Sequence, residues 1–451
     1  MEAVCIWLCL GLVAAAALIS LMLGLHTWEH RRYVRSCFRN TTRYKPTGRA
    51  AVFAPCKGND LDLAGNLHAL FHQDYHDYDL TFVVESPDDP ACAPVRRLIS
   101  EHPRVRARLL VAGAAQDCGQ KVHNLLEATA LLGPEVEYLV FVDSDAQPRP
   151  EWLRMLLARL DRPELGAATG YRWFVPARAT AANCLVYSIN CAAAVLLGRR
   201  RDYWVWGGSW AIRRERFESL EVRKAWAGML SDDLVVSRLL RRHGHTARFE
   251  PLAMVASPVD FSLASMLSFL RRQYLIGRFY AFGWWLAGLL TTSLMAISWL
   301  TAPVLLMHSL RGGQPGIWLT SGATGLLYLL GVYRGWLRQS LVRTYFPQLA
   351  NKLRVPALVD ILAGPLVTLV SWLTLLSSVV GSTLHWRGVS YRLGRGGRVE
   401  KIQRRAEHAG GSSEWVLPLP DRPAVDCSDW EHTEPAWDIL RTAHWPRQDA
   451  A

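Results

Sequence analysis

The chain has 451 residues, of which 50% are hydrophobic, and a formal net charge of +12. Its length is enough for two or three domain-sized units, and its mean hydropathy of +0.07 is high for a fully soluble enzyme. The basic residues lie beside apolar runs and accompany no nucleic-acid-binding motif, so they favour contact with anionic lipid and exclude a nucleic-acid partner. The cysteines show no Cys-x-x-Cys and no His-paired metal spacing, which is typical of reduced thiols.

The N-terminus carries an uncharged apolar run over residues 3–25, long enough to cross a hydrocarbon layer of about 30 Å. A cleaved signal peptide needs basic residues ahead of such a run, but only Glu2 precedes it, and the basic residues follow it: Arg31, Arg32 and Arg35. The sequence therefore predicts an uncleaved transmembrane anchor over residues 1–27 and a basic juxtamembrane segment over 28–47. By the positive-inside rule, the rest of the chain lies in the cytoplasm.

Residues 48–260 alternate short apolar strands with helical stretches, which predicts a mostly parallel sheet covered by helices. Strands are expected at 50–54, 80–84, 107–111 and before Asp143, and helices at 63–73, 92–102 and 121–131.

The remainder of the chain is expected to contact the membrane. Residues 261–281 have the composition of an amphipathic interfacial helix, and 282–390 hold about three apolar segments. Asp360 and the pair Gly364-Pro365 interrupt the last segment, which favours a re-entrant hairpin or an interfacial segment. Residues 391–451 are predicted to be a basic cytosolic tail.

Asp143 and Asp145 follow directly on a buried strand, at the edge where α/β sheets bind ligands. Two oxygen ligands at this spacing can hold Mg²⁺ or Mn²⁺ and leave coordination positions for a diphosphate. Asp-x-Asp also occurs in turns and at helix starts, so the motif needs the context of further residues.

Further polar groups follow the other predicted strands. Lys57 and Asp60 lie in a Gly-containing turn that suits phosphate, although Asp60 also fits a helix cap. Glu85 or Asp88 offers a carboxylate to a base or ribose, or is part of a Pro-rich acidic turn. All are candidate nucleotide-sugar contacts.

Two helix starts carry the remaining candidates. Lys121 and Asn124 lie one turn apart on one face and could hold ribose or phosphate, although such a pair is also typical of a solvated helix face. Asp232 and Asp233 open a helix and could be caps. In the catalytic interpretation, Asp232 caps or orients and Asp233 is the general base.

The order of these motifs, followed by membrane segments, resembles the family-2-like inverting glycosyltransferases, and most closely the ceramide glucosyltransferases. The stretch from Trp386 to Gly397 is similar to that family's C-terminal Trp-Arg-x-x-x-Tyr-Arg-Leu motif. The resemblance implies a GT-A fold, a UDP-sugar donor, a divalent metal on Asp143 and Asp145, and transfer to a lipid hydroxyl with Asp233 as base.

The family's (Gln or Arg)-x-x-Arg-Trp element is altered here. Gln273 and Arg278 are five residues apart, and Phe279 stands where Trp is expected. Arg278 is expected to reach the diphosphate, with Arg272 as the alternative. On the acceptor side we expect Gly208, Ser209 and Trp210 to form a close-packed turn.

These features predict an integral membrane hexosyltransferase with its catalytic domain on the cytoplasmic face. It would move a sugar, with glucose as the first expectation, from a UDP-sugar to ceramide or a similar lipid. Two alternatives stay open: a processive polysaccharide synthase, for which the apolar segments are few, and an inactive nucleotide-sugar-binding scaffold, which has no need of Asp233.

Overall fold

The computed structural model describes residues 2–39, 45–162, 164–199, 204–312 and 317–404. They form two compact units, each assembled from three separate stretches of chain. The sheet unit contains the described residues of Ser36–Ala177, Arg199–Val259 and Ser382–Ala451. The helical unit contains those of Met1–Arg35, Arg178–Gly198 and Asp260–Gly381.

The helices follow one another along the chain as α1 Glu2–Phe38, α2 Leu63–His68, α3 Cys92–Glu101, α4 Gln120–Thr129, α5 Trp152–Leu160, α6 Ala181–Ala194, α7 Arg214–Ser219, α8 Val222–Trp226, α9 Asp232–Arg242, α10 Leu263–Tyr280, α11 Phe282–Gly312, α12 Ile317–Gln339, α13 Val342–Tyr345, α14 Arg354–Leu362 and α15 Gly364–Ser377. The strands are β1 Arg49–Pro55, β2 Tyr78–Val84, β3 Arg106–Val111, β4 Val136–Val142, β5 Leu165–Pro176, β6 Ser209–Arg213, β7 Thr246–Val259, β8 Thr383–Trp386, β9 Val389–Leu393 and β10 Val399–Arg404.

A seven-stranded sheet in the order β3-β2-β1-β4-β6-β5-β7 forms the core of the sheet unit. The first four strands in that order are parallel, whereas β6 runs antiparallel to both of its neighbours. The parallel strands are buried on both faces, which explains their continuous apolar sequences. Across the sheet, Phe141 stacks on Phe53 and on Trp210 with ring centroids 5.5 and 4.2 Å apart. The predicted α/β fold with a mostly parallel sheet is confirmed.

The helical unit holds two helices that are long and apolar enough to cross a bilayer, Cys9–Phe38 and Phe282–Val304. The pair α14 and α15 would add a third span, but it bends by 83°. The bend comes where Asp360 and Gly364-Pro365 were expected to interrupt the last apolar segment. The form of this segment in a membrane, re-entrant or interfacial, stays a prediction, as does the interfacial position of α10.

A chain of polar side chains links three helices inside the helical unit. Arg338 in α12 donates from Nε and Nη2 to the two oxygens of Asp360 in α14, at 3.0 and 2.8 Å. Gln339 donates to the same carboxylate at 2.6 Å and accepts a 2.6 Å hydrogen bond from the Tyr187 hydroxyl in α6. A charge buried among apolar helices needs such partners, and this network supplies them.

The structure divides the chain differently from the predicted boundaries in two places. Residues 178–198, expected within the catalytic domain, belong to the helical unit because α6 is an apolar helix that packs with it. Residues 382–404, expected to be the end of the membrane region and a tail, form a three-stranded antiparallel sheet in the sheet unit. Its alternate side chains are buried, among them Leu384, Tyr391 and Leu393. The rest of the predicted tail, 405–451, lies outside the described residues.

Candidate functional site

Asp143 and Asp145 lie just past the C-terminal end of β4, as predicted. The Asp143 carbonyl accepts a hydrogen bond from the Ala146 backbone at 3.1 Å, which closes a tight turn around the motif. The Asp143 backbone N–H donates to the Gly208 carbonyl at 3.3 Å, next to the start of β6. The antiparallel insertion of β6 therefore brings Gly208 to the Asp-x-Asp motif.

The Lys121 ammonium joins two of the predicted catalytic motifs. Its Nζ lies 2.7 Å from Asp143 Oδ1 and 3.3 Å from Asp232 Oδ1. It also donates to the Gly207 carbonyl at 3.0 Å. A single buried cation at the start of α4 therefore holds the end of β4, the start of β6 and the start of α9 together.

Asp233 is positioned by three hydrogen bonds from its surroundings. Its Oδ2 accepts from the Gly207 backbone at 2.7 Å, and its Oδ1 accepts from the Ser231 hydroxyl at 2.5 Å and from the Leu234 backbone at 2.7 Å. Ser231 is also the cap of α9. The carboxylate is fixed and partly exposed, as a base that must meet a substrate requires.

Asp232 differs from Asp233 in being almost fully buried, and its Oδ2 has no hydrogen-bond partner among the described residues. Burial raises the pKa of Asp232 to about 7, helped by the charge of Asp233 and opposed by Lys121. Asp232 is thus a buried carboxyl that holds its proton more tightly than usual, next to the fixed carboxylate of Asp233.

The two glycines between the motifs are required by space. A Cβ atom on Gly207 would lie 2.9 Å from Lys121 Nζ, and one on Gly208 would lie 2.7 Å from Asp143 Oδ2. A Cβ atom on Gly208 would also clash with the Trp206 ring, so a larger residue there would displace that ring and Asp143, whereas one at Gly207 would displace the end of the Lys121 side chain.

The charges of Asp143 and Asp145 suit a divalent cation. Burial would raise the pKa of Asp143, but Lys121 outweighs it and the pKa falls below its usual value. Burial and the neighbouring charge of Asp143 raise the pKa of Asp145 to about 6. A cation would relieve the repulsion between the two carboxylates. The side chains of Asp143 and Asp145 are 28% and 33% exposed. Hard oxygen ligands of this kind fit Mg²⁺ or Mn²⁺.

The turn after β1 and the end of β2 come together as expected. Lys57 Nζ lies 2.5 Å from Glu85 Oε2, and Asp60 accepts a 2.6 Å hydrogen bond from Ser144, the middle residue of Asp-x-Asp. Glu85 is buried, whereas Asp88 is exposed. Between the two candidates for the first acidic position, Glu85 is therefore the one in contact with the other predicted residues.

Asn124 lies behind this surface. It is 2% exposed, accepts from Gln120 at 2.8 Å and donates to the Val83 carbonyl at 3.3 Å. Its amide joins α4 to β2, so any effect on a nucleotide would pass through the backbone of β2.

Ser209 and Trp210 are core groups with no exposed surface. The Ser209 hydroxyl accepts from Trp152 at 2.8 Å and donates to the Ala253 carbonyl at 3.0 Å. Trp210 stacks on Phe141. Of the three predicted acceptor residues, only Gly208 borders the carboxylates, so Gly208 alone stays a candidate for the acceptor side.

The predicted donor-closing residues belong to α10 in the helical unit. Arg278 donates to the carbonyls of Ser378, Val379 and Gly381. Arg272 lies over the Phe269 ring at 5.4 Å, and Gln273 is exposed. Their role toward a diphosphate stays a prediction.

The three-stranded sheet supplies contacts that the sequence did not reveal. Arg387 binds Asp60 and the Lys57 carbonyl, and Arg404 binds Glu85. The Tyr391 hydroxyl accepts from the Gln120 backbone at 3.2 Å. The Trp386–Gly397 motif marked this segment as a family element. Its local sequence, however, did not indicate that it contacts the residues that follow β1 and β2.

Arg172 in β5 was also missed. One of its guanidinium nitrogens lies 4.0 Å from Asp145 Oδ2, and the group lies over the Trp206 ring at 5.5 Å. Its strand shows no motif that would single out this arginine.

Two curated relatives are similar over a short stretch. Ceramide glucosyltransferase 1 of Caenorhabditis elegans is 36% identical over 78 residues, which are 17% of this chain and 17% of that protein. Ceramide glucosyltransferase 3 of the same organism is 32% identical over 78 residues, with the same 17% coverage of each chain. The match thus spans less than a fifth of these relatives.

Among solved structures, a mannosyltransferase from Pyrobaculum calidifontis, in complex with GDP-Man and Mn²⁺, is similar with a TM-score of 0.43 and 16% identity. The similarity covers 82% of this chain and 97% of that one. The sequence family described as glycosyl transferase family 21 matches residues 11–399, which is most of the chain and includes Asp143, Asp145, Asp232 and Asp233. The chain is a glycosyltransferase and belongs to glycosyl transferase family 21.

Proposed function

We propose that this chain is an inverting hexosyltransferase that moves glucose from UDP-glucose to the hydroxyl group of a membrane lipid such as ceramide. The observation that carries the proposal is the Lys121 ammonium, which ties the Asp-x-Asp turn to the start of α9. This contact places a cation, two oxygen ligands and a fixed carboxylate in one cluster. A sugar transfer by direct displacement needs these three components.

Asp233 is proposed as the base. As the acceptor oxygen bonds to the anomeric carbon, its proton passes to the Asp233 carboxylate, and the bond from the anomeric carbon to the diphosphate oxygen breaks. UDP leaves on the opposite face, which inverts the configuration. The hydrogen bonds from Gly207, Ser231 and Leu234 keep the carboxylate in place during this step.

The departing diphosphate would be met by positive charge. Asp143 and Asp145 would hold Mn²⁺ or Mg²⁺, which neutralises charge on the leaving group when bound. Lys57 and Lys121 provide cations close to the same edge of the sheet, and Arg278 or Arg272 remains the proposed closing group. Glu85 and Asp60 would contact the nucleoside, with Asp88 as the exposed alternative to Glu85.

A lipid acceptor accounts for the combination of a sheet unit with apolar helices. The two long apolar helices anchor the chain in a membrane, where a hydrophobic acceptor is dissolved. The basic residues after α1's apolar run support a cytoplasmic position for the sheet unit. The short matches to ceramide glucosyltransferases favour ceramide as the acceptor to try first.

The test is a transfer assay with the purified full-length chain in nanodiscs, which pairs UDP-glucose, UDP-galactose and UDP-N-acetylglucosamine with ceramide and diacylglycerol. Each pair is run with EDTA, with Mg²⁺ and with Mn²⁺. We expect glucosylceramide with inverted anomeric configuration, formed only with a divalent cation. A water-soluble polymer, or binding of UDP-sugar without any transfer, would contradict the proposal.

A further inference from the structure

Three histidines of the sheet unit form a cluster outside the candidate active site. His68 ends α2, His72 follows one turn later, and His102 comes directly after α3. One ring nitrogen from each lies within 4.8 Å of the others. Both helices start after the C-terminal ends of their strands and lead back to the opposite edge of the sheet. The cluster therefore lies toward the edge opposite Asp143 and Asp145.

The hydrogen bonds of two of these rings fix which nitrogen carries the proton. His72 Nδ1 lies 3.0 Å from the His68 carbonyl, and His102 Nδ1 lies 2.9 Å from the Leu98 carbonyl. A carbonyl only accepts, so Nδ1 must donate and the lone pair is on Nε2 in both rings. An imidazole that ligates a metal through one nitrogen while the other donates to a carbonyl is the usual arrangement in metal sites.

The third ring shows an unmet requirement. His68 Nδ1 is a buried nitrogen without a hydrogen-bond partner among the described residues. A buried polar atom in this state is costly unless a further group binds it.

We propose that His68, His72 and His102 bind Zn²⁺ or a cation of the same class. Three imidazoles supply nitrogen ligands of intermediate softness, which suit Zn²⁺ better than Mg²⁺ or Mn²⁺. Tetrahedral zinc with Zn–N of about 2.0–2.1 Å needs ligand nitrogens about 3.3 Å apart, and the present separations, all within 4.8 Å, would shorten on binding. Water would complete the coordination.

The site would join the ends of α2 and α3, because His68 and His72 come from one of these helix ends and His102 from the other. Phe71, which precedes His72 in the chain, stacks on the His102 ring at 4.7 Å and on the Phe82 ring at 5.7 Å. The aromatic contact limits the access of water to one side of the cluster. The cation would therefore stabilise the first half of the sheet unit and take no part in sugar transfer.

The test uses full-length protein purified without a polyhistidine tag, with Asp143→Asn and Asp145→Asn introduced to remove the carboxylate site. After dialysis against Zn²⁺ and then against metal-free buffer, metal content is measured by mass spectrometry. We expect close to one Zn²⁺ per chain. In His68→Gln and His102→Gln, Zn²⁺ affinity should fall by more than about 100-fold, since even the loss of an outer partner of a metal ligand costs 10–100-fold. The control is His76→Gln, an exposed residue of the same segment, which should keep the metal.

Co²⁺ gives a second measurement that needs no histidine variant. In the chain with the carboxylate site removed, Co²⁺ should give the intense visible absorption of tetrahedral coordination, without thiolate charge-transfer bands. Zn²⁺ should also raise the unfolding temperature of this chain. The proposal is wrong if no stoichiometric Zn²⁺ is retained, if both histidine variants retain it, or if the Co²⁺ spectrum shows thiolate ligands.

Discussion

The sheet unit and the helical unit each bury a basic side chain against aspartate, but they match the charges differently. In the helical unit, Arg338 and Asp360 form an ion pair with two hydrogen bonds, their side chains are 8% and 1% exposed, and Arg334 adds a second guanidinium nearby. In the sheet unit, the single Lys121 ammonium lies between Asp143 and Asp232, with further carboxylates beside them.

We expect the difference to separate a structural charge cluster from a functional one. In the helical unit the Asp360 carboxylate is bonded to Arg338 and has a second guanidinium nearby, so its expected role is to hold helices together. An excess of carboxylate around one ammonium leaves negative charge that only a proton or a further cation can neutralise. Perturbed pKa values of Asp145 and Asp232 mark this excess, and such values are typical of active sites.

The largest effect is expected for Asp233→Asn. The amide keeps the size of the side chain but cannot take a proton, so transfer should fall by about 10²–10⁴-fold. UDP binding, measured by calorimetry, should change little, because Asp233 contacts Gly207, Ser231 and Leu234. The control is Glu218→Gln, which makes the same change from carboxylate to amide at an exposed position. Transfer at the wild-type rate would show that Asp233 is not the base.

Asp360→Ala tests the matched pair. It leaves the Arg338 guanidinium buried without its carboxylate, and we expect a loss of about 3–5 kcal/mol in the free energy of unfolding. The measurement is denaturant or thermal unfolding in detergent. The double variant Arg338→Met with Asp360→Leu should recover most of the loss, because neither member of the buried pair then carries a charge. Unchanged stability of Asp360→Ala would mean that the pair is not structural.

Lys121→Met tests the unmatched cluster. Transfer should fall by about 10²-fold or more, as when one charge-stabilising group is lost from an active site. Stability should fall by less than in Asp360→Ala, because the Asp143 carboxylate is 28% exposed and can take up water, a proton or a metal ion. Adding Mn²⁺ should restore part of the unfolding temperature. A larger loss of stability than in Asp360→Ala would remove the distinction drawn between the two clusters.

The smallest effect concerns pH. Folded Asp232 keeps its proton up to about pH 7, whereas an unfolded aspartate releases it near pH 4, a value of about 3.9 being usual. Between these values the folded state binds more protons, so stability is full below about pH 4 and declines as pH rises toward 7. Without divalent cations, the unfolding temperature should fall by a few degrees across this window. In Asp232→Asn the slope should be smaller, and an equal slope would assign the effect to other groups.

Much of the sheet unit could be predicted from sequence because its signals are local. Continuous apolar strands end in polar residues, and parallel strands bring those ends to one edge, so Lys57, Glu85 and Asp143 could be placed together. The pairing of β6 between β4 and β5 is not local. Ser209 and Trp210 were therefore expected in a turn beside an acceptor, whereas they lie in a central strand.

The remaining differences have the same cause. The apolar sequence of α6 is equally typical of a helix in the core of the sheet unit and of a helix that packs in the helical unit. Residues 178–198 could therefore not be assigned to either unit from sequence. Arg387 and Arg404 stand in a basic stretch that resembles a tail, and their carboxylate partners are some 300 residues earlier, with separations of 327 and 319. His68 and His72 had a usable spacing, but His102 reaches them only through the fold.

The order of synthesis follows from the position of β8–β10. Asp60 and Glu85 are made early. Their partners Arg387 and Arg404 leave the ribosome only after all the helices of the helical unit. The first strands can therefore form while Asp60 and Glu85 still lack these arginines. The two charge pairs close only when the end of the chain returns, so they complete the sheet unit last during synthesis.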